Sequence, residues 1–232
     1  MRMRYKPWAK AELDACPYFV RRPEEYRGKW HSLFRREQPV ELELGCGKGY
    51  FIAGAAPANP QRNYIGIDLK DTVLGPARRI IEKAFQEAHH EPDNVILAAM
   101  DIERLADAMG PLDSVCRIDI NFCNPWPKPR HHKRRLTYPK LLTIYRSILE
   151  PEGELFFKTD DDDLFRDTLG YLKEAGFDVT AVTHDLHGDN WPGNILTEHE
   201  IMFLKKGIKI KALRARVATT PDIVLNSENN EE

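Results

Sequence analysis

Glu43-Leu44-Gly45-Cys46-Gly47-Lys48-Gly49 closes the apolar run Val40 to Leu44 and leads into a helical pattern beginning at Tyr50. Glycines at a strand-to-helix junction let the backbone turn tightly and come close to a ligand at the carboxyl edge of a sheet, where open α/β folds bind. Spacing excludes two familiar versions of such a loop. A dinucleotide fingerprint, G-x-G-x-x-G, would place its third glycine at position 50, yet Tyr50 stands there and glycine comes one residue early. A phosphate-gripping G-K-[ST] would need a hydroxyl residue after Lys48, and Gly49 occupies that place. What remains is an acidic strand end followed by G-x-G-x-G.

Outward from this loop, short β-rich runs alternate with longer helical patterns. The runs are Val40 to Leu44, Tyr64 to Ile67, Val95 to Ala98, Val115 to Phe122, Glu154 to Lys158 and Phe177 to Thr183, with a last one over Ile208 to Val217. Helical patterns fall near Tyr50 to Ala56, Thr72 to His89, Tyr138 to Leu149 and Asp162 to Ala175, the last closed by Gly176 at a position that favours a left-handed cap. The alternation predicts an α/β fold, a mostly parallel, doubly wound sheet with helices on both faces. Three segments are expected: a basic arm over 1–38 packing on the domain, the domain itself over 39–218, and an acidic, disordered tail over 219–232.

Composition narrows the class. The chain has 232 residues, 42% hydrophobic and 30% charged, with no apolar run near the length of a membrane span and no cleavable signal, so a soluble, cytoplasmic protein is expected. Cys16, Cys46, Cys116 and Cys123 form no C-x-x-C pair, which fits reduced thiols and argues against a disulfide framework or a metal site. The net charge of -2 hides blocks of one sign. Arg2, Arg4, Lys6 and Lys10 begin the chain; KPRHHKRR, from Lys128 to Arg135, holds five fixed cations besides His131 and His132; Lys205 to Arg216 adds six. One such run is commonly a solvated surface; three together suit a phosphate-rich partner.

Two further acids stand at strand ends as Glu43 does. Asp68 ends YIGID, where a carboxylate can accept both hydroxyls of a ribose, and Asp101 follows the third run, near where an adenine would lie. Each alone reads equally as a helix cap or turn acid. Three on successive strand ends converge on one crevice. The fourth strand runs into Asn124-Pro125-Trp126-Pro127-Lys128, a stiff turn offering an indole face to a base or to the loop itself. Asp160 lies nearest the end of its strand in a run of four acids, of which some must cap the following helix. Thr197-x-x-Glu200 is a capping box by itself.

The acid and glycine pattern resembles the Rossmann-like class I S-adenosylmethionine-dependent methyltransferases. That resemblance implies a cofactor set of Glu43 near the amino acid end, Gly45 and Gly47 in the loop, Asp68 on the ribose, Asp101 on the adenine, and Asn124. RMRYKPWAK, ELELGCGKG, YIGIDLK, NF-x-NPWPK-x-RHHKRRL, FFKTDDDDLF and TEHE, in that order across nearly the whole chain, are similar to the bacterial tRNA (guanine-N7)-methyltransferases of the TrmB type. The resemblance implies methylation of guanosine 46 in the tRNA variable loop. It also implies substrate or RNA contacts at Lys128, Arg130, His131, His132, Lys133, Arg134, Arg135, Asp160, Thr197, Glu198, His199 and Glu200, with Asn124 and Asp160 at the chemistry and no metal. Asn124 departs from the Asp common before Pro-Trp in that family. An amide is no general base, but guanine N7 carries a lone pair and no proton, so orientation and electrostatics can supply the catalysis.

Two other readings stand beside this one: a non-catalytic RNA-binding protein that kept the fold, and a methyltransferase acting on a small molecule or protein. The complete acid set disfavours the first and the KPRHHKRR block the second. The sequence leaves open whether the chain is a monomer or a homodimer.

Overall fold

The computed structural model describes residues 6–219; Arg2, Arg4 and all but the first residue of the expected tail lie outside them. In chain order the strands are β1 (Phe19–Val20), β2 (Val40–Leu44), β3 (Asn63–Asp68), β4 (Val95–Ala99), β5 (Val115–Asn121), β6 (Leu149–Thr159), β7 (Phe177–Thr183) and β8 (Lys211–Val217). The helices are α1 (Pro7–Asp14), α2 (Tyr50–Ala55), α3 (Asp71–Glu87), α4 (Leu105–Ala108), α5 (Pro139–Ile148), α6 (Asp162–Glu174) and α7 (Glu198–Lys205). None is long and apolar enough to cross a membrane.

All eight strands form one sheet in the order β1-β4-β3-β2-β5-β6-β8-β7. Pairing is parallel from β1 to β6, and β8 runs antiparallel to both β6 and β7. Every residue of β2 is buried, as a strand with helices on both faces requires. The chain order reverses between β2 and β5, so a crevice opens at their carboxyl ends. That crevice places the site.

Helix α3 shows how sequence sets packing. Val73, Ala77, Ile81 and Phe85 recur every fourth residue and are all buried, one apolar stripe against the sheet. Pro76 inside this helix has no N–H for the Thr72 carbonyl four residues back, and Lys6 Nζ donates to that oxygen instead at 2.9 Å. The arm is thereby fastened to the domain. Its helix α1 lies on α3, with Ala9 so close to Gly75 that a Cβ there would meet it at 2.6 Å. Glu12 pairs with Arg78 and Arg79, and the Arg79 guanidinium sits 3.7 Å above the Trp8 ring. Strand β1 then adds to the sheet beside β4.

Neither α1 nor β1 was expected within the arm. The expected strand over Glu154 to Lys158 extends back to Leu149, and the last strand starts at Lys211 rather than Ile208. The third basic run also differs from a free cationic surface: Lys209 pairs with Asp185, Lys211 with Asp162, Arg214 with Glu154 and Arg216 with Glu152.

Candidate active site

The loop after β2 takes its shape from glycine. Gly45, Gly47 and Gly49 have φ of 79°, 54° and 73°, in the left-handed region where a Cβ is strained. Gly49 caps α2, and a Cβ there would meet Ala77 Cβ at 3.0 Å, so the residue also lets α2 pack on α3. Asp68, the last residue of β3, fixes the loop from beneath by accepting from Gly47 N at 3.1 Å and from Leu69 N at 2.7 Å. Burial raises its pKa, and these backbone donors oppose the rise.

A cleft of about 660 Å³ opens over these strand ends. Gly45, Asp68, Asp101 and Asn124 line it, together with Met100, Phe122, Trp126, Arg134 and Leu136. Asp101 also caps the turn after β4, accepting from Glu103 N at 3.0 Å, so the capping role and a place at the cleft coexist. Glu43 and Gly47 are not among the lining residues. Glu43 is buried below them, where Asn121 Nδ2 donates to its Oε1 at 2.9 Å and its Oε2 has no partner among the described residues. Burial pushes its carboxyl up to about 8.

The opposite wall is the segment after β5. Phe122 and Trp126 have φ of 54° and 44°, sparsely populated by residues other than glycine, and such strain gathers at functional sites. Asn124 Oδ1 accepts from Trp126 N at 3.1 Å and closes the turn that aims the indole. His131 lies 5.8 Å from the Trp126 ring and the Arg134 guanidinium 5.3 Å above it. Lys128, Arg130, Lys133 and Arg134 are exposed and form no ion pair among the described residues, so their charge faces solvent beside the cleft. Arg135, expected on the same surface, turns the other way. It is 1% exposed, donating to Pro125 O at 2.7 Å and pairing with Asp167 at 2.6 Å, and His132 Nε2 lies 3.0 Å from it. Arg135 therefore anchors the loop from inside.

The acids after β6 divide their work. Asp161 caps α6 through Leu164 N at 2.7 Å, Asp162 meets Lys211, and Asp163 meets Arg166. The Asp160 side chain enters none of these pairs. The residue stands just beyond the end of β6, where Lys211 Nζ of β8 donates to its backbone carbonyl at 3.0 Å, outside the residues lining the cleft. Thr197 caps α7 by accepting from Glu200 N at 3.3 Å. The reciprocal half of the expected box is absent, because the Glu200 carboxylate is fully buried against Lys158, Oε2 to Nζ 2.6 Å. Glu198 reaches Lys48 in the glycine loop at 2.7 Å, and the His199 ring stacks on Phe122 at 5.9 Å. Sequence reasoning missed Lys158. The signal was a lone cation in an otherwise apolar strand, Leu155-Phe156-Phe157-Lys158.

A protein family described as "Putative methyltransferase" matches residues 37–213. A tRNA (guanine-N(7)-)-methyltransferase of Clostridium beijerinckii is 54% identical over 215 residues, covering 93% of this chain and 98% of its own. A protein of the same name from Clostridium perfringens strain SM101 is 52% identical over 217 residues, 93% of this chain and 99% of its own. The chain belongs to the tRNA (guanine-N7)-methyltransferase family. The fold of this methyltransferase is shared more widely. A 16S rRNA methyltransferase, KamB, superposes with a TM-score of 0.59 at 14% identity over 82% of this chain and 93% of its own. The 16S rRNA (adenine(1408)-N(1))-methyltransferase of Catenulisporales acidiphilia, in a mutant form solved with its cosubstrate, superposes with 0.57 at 18% identity, over 87% and 94%.

Proposed function

We propose that this methyltransferase transfers the methyl group of S-adenosylmethionine to N7 of guanine 46 in the variable loop of cytoplasmic tRNA. The observation that carries this reading is the juxtaposition at one sheet edge of a cleft holding Asp68 and Asp101 with a rim of exposed cations, Lys128, Arg130, Lys133 and Arg134, that form no ion pair among the described residues. The cofactor fits that donor set. It is cationic and carries ribose hydroxyls, and Asp68 Oδ2 keeps acceptor capacity beyond its one bond to Gly47 N. Gly45 lines the cleft without a side chain, and Asp101 lines it as well.

When bound, S-adenosylmethionine supplies a sulfonium methyl open to attack by a lone pair. The chain's own residues then need to orient and exclude, with no proton to remove from N7. Trp126 presents an aromatic face at the mouth, stiffened by Pro125, Pro127 and the Asn124 turn. A second lone pair on Asn124 Oδ1 is free to accept from the guanine amino group. Asp160, which forms no side-chain ion pair among the described residues, acts from just outside the cleft lining, its negative charge favouring the purine as it becomes cationic. Lys128, Arg130, Lys133 and Arg134 take the phosphates, and drawing the base from its stack costs a few kcal/mol that these contacts offset.

The test is incubation of the pure protein with unmodified tRNA and radiolabelled S-adenosylmethionine, followed by borohydride reduction and aniline cleavage. Label with a break at position 46 is expected. A break elsewhere would reassign the target, and tight binding without transfer would leave a non-catalytic RNA-binding protein.

A further inference from the structure

Lys158 Nζ carries three protons and meets three acceptors: Glu200 Oε2 at 2.6 Å, Ile195 O at 2.8 Å and Asn194 Oδ1 at 2.9 Å. Both charged side chains are 0% exposed. The other Glu200 oxygen accepts from Asn194 Nδ2 at 2.5 Å, and His187 Nε2 lies 3.0 Å from it. Leaving either charge alone in such a place is expensive, whereas an apolar pair of the same shape would be tolerated, so stability is not a sufficient reason for the arrangement.

The ammonium ties together pieces far apart in the chain. Lys158 is on β6, and its backbone carbonyl accepts from Phe122 N at 2.9 Å at the cleft wall. The residues it holds form the turn entering α7, and that turn touches both sides of the site. On the glycine-loop side Glu198 pairs with Lys48, and Ile195 packs so tightly on α2 that a Cβ on Gly54 would meet its Cγ2 at 2.9 Å. On the other side His199 and Phe203 lie 5.9 and 5.7 Å from the Phe122 ring. The Glu198–Lys48 pair is exposed, and such pairs are worth little by themselves.

We propose that Lys158 is a positioning residue of the methyl transfer, whose ammonium sets the 194–200 turn in the one register that bridges the glycine loop to the wall carrying Phe122. The inference deepens the proposed function and acts through the turn, not through contact with either substrate. With Lys158 gone, Glu200 keeps only Asn194 and His187 beside it, neither of them on β6, and the turn samples arrangements that do not complete the site. Apparent affinity falls by the fraction of molecules left in the competent one.

Two variants test this. Lys158→Met fills the space but strands Glu200; Lys158→Met with Glu200→Gln removes both charges and restores the melting temperature towards that of the parent. Amide exchange across residues 190–205, dissociation constants for S-adenosylhomocysteine and tRNA, and steady-state kinetics are compared in the parent and the double variant. Faster exchange confined to that segment is expected, with both dissociation constants and both KM values raised about tenfold and kcat held within about threefold. Restored melting with parental exchange and parental dissociation constants would reduce the network to a structural support and overturn the proposal. Exchange and binding need no turnover, so they decide this point even if the parent protein transfers no methyl, an outcome that would strike the proposed function alone.

Discussion

Arg135 Nη1 stands 2.6 Å from Asp167 Oδ2 at 1% exposure, while its chain neighbour Arg134 points into solvent over Trp126. Two adjacent cations in one basic block therefore do opposite work. Arg135→Ala is expected to destabilise the fold by about 2 kcal/mol or more, since it breaks a largely buried pair and a hydrogen bond to Pro125 O. Arg134→Ala should leave the melting temperature within about a degree or two and weaken tRNA binding, lowering the slope of log K against log salt by about one. Thermal melts and binding titrations at several salt concentrations check both. An Arg135 variant with parental melting and a reduced salt slope would return that residue to the RNA face.

Asp68 belongs to the cofactor side. Asp68→Ala removes a carboxylate that holds Gly47 N and Leu69 N and faces the cleft. Loss of charged hydrogen bonds of this kind, worth about 1.5–3 kcal/mol each, weakens S-adenosylhomocysteine binding tenfold or more by calorimetry. tRNA affinity, carried by the exposed rim, should survive. Equal loss of both ligands would contradict the division of the site into an acidic cleft and a basic rim.

The parts of this site legible in the sequence are those set by local chemistry. Three glycines needing positive φ, an acid ending β3 and a capping Thr197 each declare themselves within a few residues. Arg135 and Lys158 do not. Whether Arg134 or Arg135 faces inward depends on the phase of a short turn, and the Lys158–Glu200 pair joins residues 42 apart whose meeting is settled only once β6 and α7 are placed. Helix α1 is hidden for a similar reason, because eight residues are too short to be stable alone and form here on the α3 surface. The Lys205 to Arg216 run misleads because its acids come from Glu152, Glu154, Asp162 and Asp185, all distant in sequence.

Asn124 holds its turn as an acceptor, Oδ1 to Trp126 N at 3.1 Å. An aspartate keeps that acceptor, and N7 has no proton for it to remove. Asn124→Asp is accordingly expected to keep kcat within about threefold on unmodified tRNA, whereas Asn124→Ala frees the Trp126 backbone and lowers kcat/KM about tenfold, the loss of one hydrogen bond's positioning. A hundredfold change on introducing the carboxylate would mean that charge at position 124, not the turn, governs the chemistry.

Glu43 links stability to pH. Burial lifts its carboxyl to about 8 in the fold from an ordinary 4.5, so between those values the native protein holds a proton that the unfolded chain has released. The contribution is fully present below the lower value and is lost as pH rises through the upper one. Glu43→Gln stays neutral throughout and retains an oxygen to accept from Asn121 Nδ2. Its melting temperature should match the parent near pH 5 and exceed it increasingly towards pH 9, in the absence of cofactor. Parallel melting curves across that range would mean that Glu43 ionises in the fold as freely as in the open chain, and that the unpartnered Oε2 finds compensation for its charge.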